Sequence, residues 1–152
     1  MSTDMTVEKP VSQMAADDVI ALFQLEPHPE GGHFRETFRD HPESHPRAHS
    51  TAILFLLKKG ESSRWHKVDA AEAWHWYGGG SLRLTIHEEG EAATIHLGPN
   101  WPLGEMPQAV VPAHAWQKAE PMGDWVLVGC TVAPGFDFEG FELAPEGWEP
   151  SR

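Results

Sequence analysis

His66 and Glu72 are the two side chains of this 152-residue sequence most readily given a chemical task, an imidazole and a carboxylate six positions apart in SRWHKVDAAEAWHWYGG. Residues two apart on a strand share a face, so a strand over 63–68 presents Arg64, His66 and Val68 together. Glu72 follows a three-residue turn, on the strand running back, where its carboxylate can approach the imidazole. A neutral histidine near pH 7 is suited to taking a proton from a carbon beside a carbonyl. If Glu72 is buried and ionised it needs a cation, His66 or Arg64, beside it. Trp74 and Trp76 alternate with Glu72 and either wall a small-molecule pocket or fill a core, whereas His75 points the other way. Glu30, with Gly31 and Gly32 behind it, brings backbone close to a ligand, unless a tight turn or bulge claims the glycines. His41, His45 and His49 share a polar loop and are expected in water.

Strands must position these groups. Strand-like runs at 33–39, 50–57, 63–68, 72–77, 82–87, 92–97, 108–111, 116–119 and 125–132 are separated by turn residues, as in a sandwich or closed barrel. The connections KKGES, GGGS, EEGE and EPMGD carry the glycines and acids that turns prefer. Ahead of them, residues 12–25 space Val19, Ile20, Leu22 and Phe23 as one amphipathic helix, with Asp17 and Asp18 in its first turn. The segment 40–47, DHPESHPR, reads as a loop. In the tail from Ala133, Phe136, Phe138 and Phe141 sit among glycines and prolines and are expected to pin an irregular segment onto the barrel. The expected fold class is all-β, one domain over 1–152, with a short helix near 12–25 and a barrel near 30–143.

Eleven Lys and Arg against twenty-three Asp and Glu give a net charge of −12, which repels polyphosphate and excludes a nucleic-acid partner. The longest apolar run, Ala52 to Leu57, is far short of the roughly 20 residues that span a bilayer. No basic segment followed by an apolar one stands in MSTDMTVEKP, so no secretory signal is read and a cytoplasmic location is expected. Cys130 is the sole cysteine and excludes an intrachain disulfide; within VLVGCTV it reads as a buried structural thiol.

In GESSRWHKVDAAEAWHWYGG, the residues Gly60, His66, Glu72 and Gly79 stand at the spacings of the first conserved motif of the cupin superfamily, with Val68 at its second histidine position. PAHAWQ at 112–117 resembles the second motif, His114 taking the glycine-like turn position and Gln117 standing where a final histidine is expected. HPEGGHFRETFR and VGCTVAPGFDFEGFEL resemble segments of small stand-alone cupins whose role is undefined. The resemblance implies a double-stranded β-helix, or jelly roll, with a small-molecule ligand in its interior and barrels paired as a homodimer. It also implies a metal-ligand set of three histidines and a glutamate. Here His66 and Glu72 keep their places while Val68 and Gln117 replace two histidines. No cofactor is required on this reading; a divalent metal held by His66, Glu72 and Gln117 is the alternative, with an amide oxygen as a poor ligand. Those cupins are similar in structure to deoxythymidine diphosphate 4-dehydrorhamnose 3,5-epimerase. His66 would match its histidine base, and Tyr77 is the sole tyrosine available to match its acid.

The leading expectation is a cupin binding a small polar metabolite through Arg64, Trp74, Trp76, Gln117 and Glu30, with His66 and Glu72 moving a proton as in an isomerase or epimerase. The alternatives are a metal-dependent cupin enzyme with a reduced ligand set and a non-catalytic metabolite-binding module. No phosphate-cradling loop, serine elbow or dinucleotide fingerprint points to a particular substrate.

Overall fold

A computed structural model describes residues 9–151. Most of the N-terminal stretch read for a secretory signal lies outside them. After a 3-10 turn at Val11–Gln13 comes one α-helix, α1 (Ala16–Phe23), shorter at both ends than the expected 12–25. Gln24 adopts φ 57°, a left-handed conformation that ends the helix. Val19 is buried beneath α1 and Ile20 and Phe23 pack beside it, but Leu22 is exposed, so the apolar stripe is narrower than the sequence pattern.

Eleven strands follow in two antiparallel sheets. The first sheet orders β1 (Glu26–Pro27), β2 (His33–Asp40), β3 (Ser50–Lys58), β10 (Trp125–Ala133), β5 (Ala71–Gly79) and β8 (Gln108–Val111). The second orders β11 (Phe141–Leu143), β4 (Ser63–Val68), β9 (Trp116–Pro121), β6 (Leu82–Glu88) and β7 (Glu91–Leu97). This is the expected jelly roll behind a short helix. The two sheets bury their facing sides between them: Leu82 and Leu84 of β6 meet Phe55 and Leu57 of β3 and Trp74 of β5. Each such side chain stabilises the fold by roughly 1.5–3 kcal/mol. β10 is buried on both faces, with Val126, Val128 and Cys130 turned to the core and Trp125 and Leu127 under α1, hence its unbroken apolar sequence.

Two edge strands were not anticipated. β1 is two residues long and pairs with Phe34 and His33. The tail is not merely irregular: β11 pairs with β4, setting Leu143 opposite His66. β4 and β5 are also not hairpin partners. The turn at 69–70 carries the chain from one sheet to the other, so Glu72 faces His66 across the interior. Among the described residues no helix is long and apolar enough to cross a membrane.

Candidate functional site

Beyond the packed core, the interior opens into a cavity of about 60 Å³. That is space for a few waters or for a ligand of similar size. Glu30, His66 and Glu72 line it together with His28, Val68 and Cys130. The aromatic walls are Phe34, Phe136 and Phe138, and Glu36 and Arg39 stand in the lining as exposed residues.

Glu30 reaches the cavity because of the HPEGG turn. Gly31 N–H bonds His28 O and His28 N–H bonds Gly32 O, folding the segment onto itself. Gly31 has φ 112°, and any Cβ there would collide with the carbonyl of Ser62. The glycines thus serve the turn, pressing it against the start of β4, where Arg64 N–H bonds Glu30 O at 2.8 Å. Glu30 is thereby buried inside, 7 % exposed.

β4 carries a bulge. Ser63 pairs with Ala119 and His66 with Gln117, so three residue steps on β4 match two on β9. The extra residue puts Ser63 in phase with His66, facing inward, and turns Arg64 out of the site. The Arg64 guanidinium instead donates from Nη2 to Ala144 O at 2.7 Å, in a separate surface groove with Trp148. The expected sharing of one face by Arg64 and His66 is therefore corrected.

Hydrogen bonding fixes the protons. His66 Nδ1 is 2.7 Å from Arg64 O, which can only accept, so Nδ1 carries a hydrogen. His66 Nε2 is then a lone pair in the neutral ring, 3.3 Å from Glu30 Oε2. The other Glu30 oxygen accepts from Ser63 Oγ at 2.8 Å. Burial pushes Glu30 up to about 8, partly offset by the Ser63 hydroxyl. Burial also holds the His66 imidazole below its ordinary value, with Glu72 and Arg64 O opposing. At neutral pH both directions favour a protonated carboxyl beside a neutral imidazole, 3.3 Å apart.

Glu72 is a second such acid. Its burial raises it to about 7, with His66 opposing the shift and Glu30 adding to it. Trp74 Nε1–H can only donate, so the Gln117 atom it touches at 2.9 Å is the amide oxygen, and the Gln117 amide nitrogen donates to Glu72 Oε1 at 2.9 Å. Gln117 therefore stands one step behind the cavity, holding Glu72.

A divalent metal, which the family resemblance raises, does not fit this donor set. The Gln117 oxygen is turned away onto Trp74, His66 Nε2 faces Glu30, and Val68 offers nothing. Among the described residues no three His, Cys, Asp or Glu side chains converge as ligands. The set His66, Glu72 and Gln117 is thus a hydrogen-bonding group rather than a coordination sphere.

Trp74 and Trp76 are not cavity walls. Trp74 is buried in the core edge-on to Phe55, and Trp76 packs against that core while donating to Gly80 O at 2.9 Å. Tyr77 is 54 % exposed and stacks on His75, so neither belongs to the interior. His114 takes φ 70°, as a glycine-like turn position requires. Sequence reasoning missed His28 and Ser63 as site residues. His28 begins the quoted HPEGG segment and could have been found there; Ser63 depends on the bulge, for which the sequence carried no signal.

The comparisons agree with this architecture. The family description "Cupin superfamily (DUF985)" matches residues 17–144. The crystal structure of protein SO0799 from Shewanella oneidensis is similar at 40 % identity and TM-score 0.82, over 86 % of this chain and 85 % of that one. A hypothetical protein from Leishmania major is similar at 28 % identity and TM-score 0.79, over 86 % and 88 %. An uncharacterized protein of Saccharomyces cerevisiae, YML079W, is 26 % identical over 88 % of this chain and 77 % of its own length. With the family match spanning all but the first residue of the helix, both sheets and every residue of the cavity, the chain belongs to the cupin superfamily.

Proposed function

We propose that the cavity binds a small polar metabolite and moves a proton on it, as an isomerase or epimerase does, with Glu30 and His66 acting as one acid–base pair. The observation that carries this is the 3.3 Å contact between Glu30 Oε2 and His66 Nε2, with His66 Nδ1 pinned to Arg64 O. The pair holds one mobile hydrogen. With it on Glu30, the carboxyl is an acid. With it on His66, Glu30 is a carboxylate base beside an imidazolium. His66 thus stands behind Glu30 rather than alone at the substrate. When a substrate C–H bond breaks, its electron pair becomes the C=C bond of an enol or enolate and its proton goes to the Glu30 carboxylate. Reprotonation from Glu30, at the neighbouring carbon, returns the pair to its starting state; reprotonation from Glu72, on the opposite face, leaves Glu30 protonated and Glu72 ionised, and exchange of one proton each with water restores both, with no net proton consumed. Acids brought to about 8 and about 7 are matched to such work near neutrality.

The test is deuterium wash-in. Metabolites captured from an extract on the protein are incubated in D₂O and weighed by mass spectrometry. The reading expects one captured species to gain a non-exchangeable deuterium, and Glu30→Gln to slow the gain by about 10²–10⁴. A ligand returned unlabelled would establish the non-catalytic binding module instead. Labelling untouched by Glu30→Gln would remove the pair from the chemistry.

A further inference from the structure

His28 is a site residue that the proton-transfer reading leaves without a task. Its ring lies edge-on to Phe34 with centroids 4.4 Å apart and near Phe55, and its side chain is only 6 % exposed. Its Nδ1 accepts the backbone N–H of Glu30 at 3.0 Å, so in the neutral ring the hydrogen sits on Nε2. No acceptor among the described residues takes that hydrogen. Nε2 is not among the fully buried, unpartnered side-chain nitrogens of the described residues, which are His33 Nδ1, Arg64 Nε and His87 Nε2. A donor with no partner among the described residues, on a residue lining the cavity, is a place for a ligand's acceptor atom.

Most other polar atoms of the lining have neighbours of their own, Glu72 Oε2 being left without a hydrogen-bond partner among the described residues. Glu30 accepts from Ser63 through Oε1 and lies 3.3 Å from His66 Nε2 through Oε2, and Glu72 Oε1 is held by Gln117. The one cation in the lining, Arg39, is locked by two hydrogen bonds to Glu36, at 2.8 and 2.9 Å, and a third to Phe136 O. A carboxylate or phosphate entering would find no free positive charge, and an uncompensated ion in a dehydrated site is costly. The His28 donor is instead matched by an acceptor on a neutral molecule small enough for about 60 Å³.

We propose that the substrate is a small neutral carbonyl compound bearing a hydrogen on the adjacent carbon, and that His28 Nε2–H donates to its carbonyl oxygen. This rests on the proton-transfer reading and assigns it an electrophile. As the α-C–H bond breaks, negative charge grows on the carbonyl oxygen, where a fixed donor stabilises it most. A neutral imidazole suits that role because it does not hand over its own proton at neutral pH. Burial, with His66 nearby, brings His28 down to about 4, which keeps it neutral.

Acetohydroxamate, a neutral mimic of an enolised carbonyl, is the probe, set against acetate and ethylammonium, and each is titrated into ¹⁵N-labelled full-length protein. The proposal expects acetohydroxamate to bind best and to move the His28 Nε2–H resonance. His28→Phe should weaken its binding about tenfold, the scale of one buried hydrogen bond. His28→Gln, which retains an N–H donor, should recover part of the loss. Near-UV circular dichroism checks that both variants keep the fold. Equal affinity for wild type and His28→Phe overturns the donor, and tighter binding of acetate or ethylammonium overturns the substrate class. The two readings separate cleanly. Deuterium wash-in that needs Glu30 but ignores His28 leaves proton transfer standing without this inference. Acetohydroxamate held by His28 in a protein that labels nothing leaves the donor standing and removes the reaction.

Discussion

A protonated carboxyl and a neutral imidazole enclosed together leave a pH signature in stability as well as in chemistry. Glu30 in the fold titrates at about 8, against an ordinary value of 4.5, so the folded protein holds that proton more tightly than the unfolded chain. Its contribution to stability is complete below pH 4.5 and is lost as pH rises through about 8; Glu72 behaves alike, up to about 7. His28 acts in the opposite sense, since its value falls from 6.5 to about 4 and its contribution is lost as pH drops across that range. The opposing effects overlap between pH 4.5 and 6.5, leaving the carboxyls alone above. Urea unfolding is therefore expected to show stability falling from pH 6.5 to 8, with Glu30 supplying a slope of roughly 1.4 kcal/mol per pH unit. Glu30→Gln should remove that share, and a profile unchanged by the substitution would mean that Glu30 is ionised in the fold. Ser63 tunes the same carboxyl, because its hydroxyl donates to Glu30 Oε1. Ser63→Ala should cost about 1–3 kcal/mol by leaving a buried oxygen unpaired. It should also move the upper limb of the pH profile to higher pH, since the donor that favours the carboxylate is gone.

At the scale of elements, the site depends on two departures from regular structure, the HPEGG turn and the β4 bulge. Gly31→Ala must relieve a Cβ collision with the Ser62 carbonyl at a backbone angle of φ 112°. The expected loss is about 1–3 kcal/mol by urea unfolding. Because Glu30 N–H is anchored to His28 Nδ1, the variant should also shift the His28 and His66 ring resonances; a loss of stability with unmoved rings would separate the turn from the site. The same two features mark the limit of what the sequence discloses. Alternation of apolar and polar residues was enough to place nine strands near their observed positions, and it set Glu72 and His66 in reach of each other. Alternation assumes an unbroken period of two, however, and one extra residue in β4 reverses the sides of Arg64 and Ser63. It also cannot tell a core aromatic from a lining one, and Trp74 and Trp76 went to the core while Phe34 reached the cavity. β1 and β11 are too short to carry any period. Motif spacing gave the positions of Glu72 and Gln117 but not the direction of the Gln117 amide, which Trp74 decides from across the core.

For the molecule as a whole, the tail is strapped to the barrel as part of the cavity wall. Phe136 and Phe138 belong to the lining, on a segment that leaves β10 and returns through a 3-10 turn at Phe138–Gly140 to pair as β11. Contacts from distant parts of the chain hold it, among them backbone hydrogen bonds from Gly135 N–H to Ala48 O at 2.9 Å and from Asp69 N–H to Gly140 O at 3.1 Å. Arg47 Nε donates to Gly135 O at 2.7 Å while its other nitrogens clasp Asp69 at 2.9 and 2.7 Å. Thr51 Oγ1 accepts Phe136 N–H, and Arg39 Nη2 reaches Phe136 O at 3.0 Å. Arg47 is the one of these that links the tail to the 40–47 loop and to the turn between the sheets at once, so it couples the strap to the frame rather than to the lining. Arg47→Ala removes these bonds without touching the cavity. Local opening of a segment draws on only the contacts that hold it, whereas global unfolding draws on the whole core. Amide hydrogen exchange over residues 135–140 is therefore expected to quicken about tenfold or more in Arg47→Ala, with β3 and β10 keeping their protection. Exchange that quickens equally in β3 and β10 would show that Arg47 supports the barrel itself, and the tail would then be part of the core rather than a strap over the site.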